Sequence, residues 1–401
     1  MERIIHDFLC LQHRVLFAVY NTSVEQNYSE LLEKTLSTEQ LRLLQLVREQ
    51  ATQAGLPLYI VGGAVRDLVL GRRLNDLDLI VEGDATRLAH SLVSRHGGKA
   101  TIHSKFGTAK WFLPHSLTPA SLTPNPSTPA TLDLISARSE IYKHPAALPT
   151  VSPGSLADDL RRRDFTINAL ALRLDGPHFG ELRDDFRGME DLREGIIRVL
   201  HPGSFIDDPT RMYRAVRYAG RYEFRIAEDT LALIPAARSL VEKLSAQRIR
   251  HELDLILDES DAVSMLSQLD ELGLLTVIHP ALRDFGHSNL ATPKLDDASL
   301  QKRTARWALW LMHLTTREIE ALHERLHFTA ELLKILLSAS KLNANLSVFA
   351  GLKPSQVVEL LDEYSIKAIE VVSCAVQSQE IKDVLTKYLS EWRHVQPKTT
   401  G

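Results

Sequence analysis

The chain has 401 residues, a formal net charge of −4, 44% hydrophobic and 24% charged residues, the balance of a soluble globular protein with room for several domains. That charge excludes a globally basic nucleic-acid binder, so any nucleic acid must be held by a local patch. Cys10 and Cys374 form neither a disulfide framework nor a metal-ligand spacing, no apolar run approaches a membrane span, and the start Met-Glu-Arg carries no secretory signal, so a cytoplasmic protein is expected.

Residues 1–37 are amphipathic without recognisable chemistry and read as an N-terminal extension. A helix is expected over 41–54, with Ser37 as N-cap and Glu39 and Gln40 in its first turn; Gly55-Leu56-Pro57 breaks it. A strand over 58–61, a short helix opened by Gly62-Gly63 and a strand over 75–81 follow. Residues 86–96 read as a helix closed by Gly97-Gly98, and 100–103 and 108–113 as strands. The Pro/Ser/Thr segment 114–130 cannot build a core. Because 131–135 resumes a strand, a hairpin with a dispensable inserted tip is expected. From about residue 185 helical periodicity dominates, with helices over 209–222, 246–257, 262–272, 303–314, 316–326, 330–339, 353–364 and 379–392. The fold class is α+β: a mixed α/β head over 38–184, a helical neck over 185–260, and a helical body and tail over 261–401.

Chemistry concentrates in four places. In Asn75-Asp76-Leu77-Asp78-Leu79-Ile80-Val81, strand geometry puts Asp76 and Asp78 on one face, about 6–7 Å apart, opposite Leu77, Leu79 and Val81. Two such carboxylates repel unless a cation lies between them, and a hard divalent ion such as Mg²⁺ suits them. An isolated Asp-x-Asp is more commonly a solvated turn. Upstream, backbone amides at Gly62-Gly63, with Arg66 beside them, suit a phosphate. Together these suggest phosphoryl or nucleotidyl transfer. Asp133, on its own strand, is the candidate third carboxylate.

Arg163 and Asp164, in Asp159-Leu160-Arg161-Arg162-Arg163-Asp164-Phe165-Thr166-Ile167-Asn168-Ala169, can hold a ribose, aspartate accepting and arginine donating; Asn168 can buttress the turn. In Phe205-Ile206-Asp207-Asp208-Pro209-Thr210-Arg211, Pro209 suits the first helical position and Asp208 the N-cap. Asp208 also lies near Arg211 across the first turn. Such a pair can imitate a complementary base, accepting from the exocyclic amine of cytosine or adenine and donating to the ring, while uracil and guanine meet unpaired acceptors. Arg211, Arg214, Arg217, Arg221 and Arg225 form a basic stripe. A stripe is ordinarily a solvated face; because this one starts inside the base-reading segment, Arg214 and Arg217 are expected on triphosphate.

Taken in order, Gly-Gly-x-Val-Arg-Asp, Asp-x-Asp, Arg-Arg-Asp-Phe-Thr-Ile-Asn-Ala and Asp207-Asp208-x-x-Arg211 resemble the signature of the class II tRNA nucleotidyltransferase and bacterial poly(A) polymerase family, within the polymerase-β-like superfamily. The resemblance covers about residues 58–257. It implies template-independent addition or repair of the tRNA 3′ CCA end from CTP and ATP, with two Mg²⁺ ions held by Asp76 and Asp78 and assisted by Asp133. It puts Gly62, Gly63 and Arg66 on the triphosphate, Arg163 and Asp164 on the sugar, and Asp208 with Arg211 on the base. Asp207 departs from the family's usual Glu. Residues 140–157 occupy the family's flexible-loop position; CC-only relatives tend to lack this loop and rank lowest. A-only addition, poly(A) synthesis, a non-RNA substrate and an inactive RNA-binding relative stay open. The implied partners are tRNA, CTP and ATP, with no membrane and no required protein partner.

Overall fold

The computed structural model describes residues 27–72, 74, 77–103, 107–118, 130–147, 149–283 and 302–395. They fall into two compact units, one drawn from Met1–Asp208 and Phe224–Leu233, the other from Pro209–Glu223 and Ile234–Gly401.

In the first unit the strands are β1 (Leu58–Val61), β2 (Asp78–Val81), β3 (Lys99–His103), β4 (Thr108–Phe112), β5 (Thr131–Ser136), β6 (Arg138–Ile141), β7 (Thr150–Pro153), β8 (Ala171–Arg173) and β9 (Leu182–Arg183). A seven-stranded sheet runs in the order β3-β4-β5-β2-β1-β8-β9. Its pairings are antiparallel except β2 with β5, which is parallel. The expected hairpin forms, with Thr108 opposite Ile135 and Phe112 opposite Thr131. Residues 119–129 of its tip lie outside the described residues.

Alternation along β4 and β5 decides what covers each face. Ala109, Trp111, Leu132 and Leu134 are buried on one side. The helix Ala85–His96 packs there on β4 and β5. Asp84 caps its first turn, and Trp111 Nε1 donates to the carbonyl of Gly97 at its end, 3.0 Å away. The opposite face carries an apolar cluster of Tyr59, Val61, Ile80 and Ala171, covered by Leu156 and Leu160 of the helix Leu156–Arg161. The helix expected over 41–54 spans Thr38–Gln53, with a Ser37–Gln40 capping box. Before it, Tyr28, Leu32 and Leu36 are buried, so the chain joins the core by residue 28.

Of the strand expected over 75–81, Asp78–Val81 is seen as strand, while Asn75 and Asp76 lie outside the described residues. The flexible-loop segment is a two-stranded ribbon, β6 against β7, with Arg138 opposite Pro153 and Ile141 opposite Thr150. Two further short strands, β10 (Ile196–Ile197) and β11 (Arg225–Ile226), pair in parallel.

The second unit is helical. Its helices include Thr210–Tyr222, Ala246–Asp258, Ala262–Glu271, Lys302–Leu311, Thr316–Leu326, Ala330–Ala344, Pro354–Leu361, Ile366–Ala375 and Gln379–Ser390. Trp307 and Trp310 stack at 5.1 Å between ring centres, and Trp307 Nε1 donates to Asp254 Oδ1 at 2.7 Å. The helix Ile366–Ala375, absent from the expected set, is rich in β-branched residues; burial of Ile369, Val371 and Val372 overrides that weak propensity.

Candidate active site

Asp78 opens β2 and is exposed, while Ile80, two residues on, is buried in the apolar cluster. This buried isoleucine fixes the strand's facing and leaves the carboxylate at the open end of the same face. Asp78 pairs in register with Asp133 on parallel β5. Neighbouring strands lie about 4.8 Å apart, so the two carboxylates stand side by side. Asp76 lies outside the described residues.

Across the antiparallel ladder from Asp133 stands Lys110 on β4. Its Nζ is 3.2 Å from Asp133 Oδ1, both side chains somewhat under half exposed. The face thus carries a row, Lys110–Asp133–Asp78. Lys110 was not among the residues singled out from sequence. The signal was its alternation with apolar Ala109 and Trp111, which puts it on the face opposite the buried one. Asp78 and Asp133 offer hard oxygen donors that fit a divalent metal ion. Among the described residues, no group of three or more His, Cys, Asp or Glu gathers as a metal site.

Gly62 follows β1 with φ 68° and ψ −126° and is the N-cap of the helix Gly63–Val69. Its N–H donates to the carbonyl of Leu170 at 2.9 Å, so this amide is already used within the sheet. A Cβ there would run into Arg163 Nη1, so Gly62 permits a close approach of that guanidinium. Arg66 is buried: Nε and Nη2 donate to the two carboxylate oxygens of Asp67, at 3.0 and 3.1 Å. Its Nη1 donates to Asn168 Oδ1. Asn168 Nδ2 in turn donates to Asp164 Oδ1 at 2.8 Å, which also accepts from the Phe165 N–H at 2.9 Å. A buried hydrogen-bond chain, Arg66–Asn168–Asp164, therefore joins the Gly-Gly segment to the Arg-Asp-Phe segment.

Arg163 is oriented by Asp159, which is fully buried. Asp159 Oδ2 accepts from Arg163 Nη2 at 3.0 Å, and Oδ1 accepts from Arg162 Nη2 at 2.6 Å. Asp159 was not among the candidate site residues either. The sequence signal is helical spacing: a carboxylate three and four residues before two arginines.

Asp208 precedes the N-cap position expected for it. It closes the turn Ser204–Asp207, its N–H donating to the Ser204 carbonyl at 3.2 Å, and Pro209 takes the N-cap of Thr210–Tyr222. Asp208 and Pro209 belong to different units.

Within the second unit the arginine stripe is not a solvated face. Arg211 and Arg217 are buried. Arg217 lies 3.7 Å from Glu252 Oε2 and 3.8 Å from Glu259 Oε1, and Arg214 lies 3.7 Å from Glu252 Oε1. Arg221 pairs with Glu259 at 2.5 Å. The guanidinium groups of Arg214 and Arg217 lie over Tyr218, 5.5 and 4.8 Å from its ring centre. Arg217 therefore faces acidic and aromatic groups of its own unit, and Arg214 is the more open of the two.

Residues 58–198 match the model of the Poly A polymerase head domain, and residues 223–285 match the probable RNA and SrmB-binding site of polymerase A. The chain is 41% identical over 250 residues to the A-adding tRNA nucleotidyltransferase of Halalkalibacterium halodurans, a stretch covering 61% of this chain and 56% of that one. It is 28% identical over 319 residues to the CCA-adding enzyme of Pseudomonas putida strain W619, covering 78% of this chain and 79% of that one. The chain thus spans little more than half the length of its A-adding relative. Among solved structures, a CCA-adding enzyme in apo form superimposes with a TM-score of 0.77 at 29% identity, covering 94% of this chain and 88% of that one. No helix among the described residues is long and apolar enough to cross a membrane.

Proposed function

The chain belongs to the family of tRNA nucleotidyltransferases and bacterial poly(A) polymerases, and from that premise we propose that it adds the terminal adenosine to tRNA ending in CC. That step is common to A-adding and CCA-adding enzymes; CC-adding enzymes are also among the relatives, at 37% and 31% identity. The observation that carries the reading is the register of Asp78 with Asp133 on one open sheet face. It provides two adjacent, solvent-exposed hard-oxygen ligands on interior strands of the sheet.

The reaction joins the tRNA 3′-oxygen to the α-phosphorus of ATP; the bond from that phosphorus to the β-phosphate bridge breaks, pyrophosphate leaves, and the hydroxyl proton passes to solvent. Asp78 and Asp133, with Asp76, would hold two Mg²⁺ ions. When bound, these ions neutralise phosphate charge and ease loss of the hydroxyl proton. Gly63 and Arg66 steady the triphosphate. Arg163 and Asp164 hold the ribose, each kept in place by a buried partner, Asp159 and Asn168. The resembled motif assigns base reading to the segment that holds Asp208 and Arg211. On the arginine stripe, Arg214 is the more open side chain and is the candidate for phosphate charge, while Arg217 supports its helix from inside.

Whether the chain also adds the two cytidines is a second question. Full CCA synthesis is supported by the 94% coverage of this chain by a CCA-adding structure. A-only addition is supported by the higher identity, 41% against 28%. The test supplies ATP labelled at the α-phosphate to a tRNA ending in CC. Label entering the RNA with release of pyrophosphate supports the proposal. Label added only to non-RNA acceptors contradicts it. CTP incorporation into tRNA lacking the cytidines then separates the two kinds.

A further inference from the structure

The row on the open sheet face has a cation built into it. Asp78 and Asp133 face the same way on adjacent strands, a like-charged pairing that costs stability. Lys110 stands on the next strand, in register with Asp133, its Nζ 3.2 Å from Oδ1. Both flanks of the row are fixed by the sheet: Ala109 and Trp111 are buried on the opposite face, so β4 cannot turn its lysine elsewhere without exposing tryptophan.

We propose that Lys110 is the resident counter-cation of this carboxylate row, and that a divalent metal ion binding at Asp133 must compete with its ammonium. The proposal rests on the reading of Asp78 and Asp133 as metal carboxylates. Lys110 is thus a positioning residue. It holds Asp133 and offsets its charge before substrate arrives, and it weakens metal binding to the empty protein. A bound nucleotide would supply further oxygen donors for such an ion, which the empty protein lacks.

The test titrates the full chain with Mn²⁺ alone, without nucleotide or RNA, and reads bound ion by calorimetry or by loss of the free-ion paramagnetic resonance signal. Lys110→Gln removes the charge and is expected to tighten Mn²⁺ binding, about three- to tenfold for a half-exposed pair. Lys110→Arg keeps the charge and is expected to stay within about twofold of the natural protein on the same scale. In an Asp133→Asn background the effect of Lys110→Gln should vanish, because the oxygen contested by the two cations has lost its charge. If Asp133→Asn weakens Mn²⁺ binding while Lys110→Gln leaves it unchanged or weaker, the competition is overturned and the metal reading stands. If neither Asp78→Asn nor Asp133→Asn alters Mn²⁺ binding, the metal reading itself fails, and the proposal with it.

Discussion

Asp78 and Asp133 are partners in a parallel ladder, their side chains exposed on the sheet face that carries the apolar cluster under the helix Leu156–Arg161. Nothing in the apolar core depends on either carboxylate. Asp78→Asn and Asp133→Asn are therefore expected to keep the fold, with a melting temperature at or slightly above the natural one because a like-charge pairing is relieved, and to lower adenosine incorporation at least about a thousandfold, on the order of 4 kcal/mol of transition-state stabilisation. Melting curves beside initial rates check this. Matching losses of fold and rate would mean the aspartates are structural.

The buried chain from Arg66 through Asn168 to Asp164 predicts a different outcome. Asn168→Ala strips Arg66 Nη1 and Asp164 Oδ1 of a partner each. It should cost about 1–3 kcal/mol of stability, since buried polar groups are left unsatisfied. Because Arg66 and Asp164 are assigned to triphosphate and ribose, the KM for ATP should also rise. Denaturant unfolding and a KM measurement test the two effects separately. Stability loss with an unchanged KM would confine Asn168 to a structural role.

How much of this was legible follows from where each residue gets its partner. Asp78, Arg163 and Asp164 stood out because their motifs are contiguous. The pairing of Asp78 with Asp133 was not readable, because β5 reaches β2 only after the β3–β4 excursion and then runs parallel to it. Lys110 was hidden for the same reason: its significance comes from register across a hairpin whose tip is long. The Asp-Pro pair also suited Asp208 as an N-cap, the alternative to its base-reading role, whereas Pro209 takes that position and Asp208 closes the turn Ser204–Asp207. The arginine stripe showed its helical spacing plainly. Its acidic partners, Glu252 and Glu259, lie in and at the end of the helix Ala246–Asp258, several elements further along the chain, and spacing alone does not reveal them.

That stripe yields a third prediction. Arg217 is buried among Glu252, Glu259 and Tyr218. Arg217→Ala leaves buried carboxylates short of a cation and should cost on the order of 3 kcal/mol. Arg214→Ala, on the more open side chain, should cost much less stability and act mainly on the KM for ATP. Chemical denaturation of both variants separates the roles. A stable Arg217→Ala with a raised KM would return Arg217 to the triphosphate.

Gly62→Ala introduces a Cβ at φ 68°, against Arg163 Nη1. The backbone conformation alone should cost about 1–2 kcal/mol. Displacement of Arg163 should add a loss of nucleotide affinity. Thermal unfolding and ATP titration read the two, and an unchanged melting temperature would show that the turn tolerates a side chain.

One pH effect follows from the capping box of Thr316–Leu326. The backbone N–H and hydroxyl of Thr315, with nearby His313 and His279, hold the Glu318 carboxyl below its ordinary value of 4.5. A lowered folded-state value means the contribution is complete above the unfolded value and is lost as pH falls through the folded one. Glu318→Gln should therefore be less stable than the natural chain at pH 7, with the gap closing as pH drops below about 4.5. A gap that widens in acid would reverse the assignment.

The most direct measurement compares the natural chain, Asp78→Asn and Asp133→Asn on tRNA ending in CC, with Mg²⁺ and ATP, resolving products to single nucleotides. Addition of one adenosine by the natural chain, and its loss in both folded variants, is the predicted result. No adenosine from the natural chain, or full addition by either variant, would contradict the assignment of this carboxylate pair to nucleotidyl transfer.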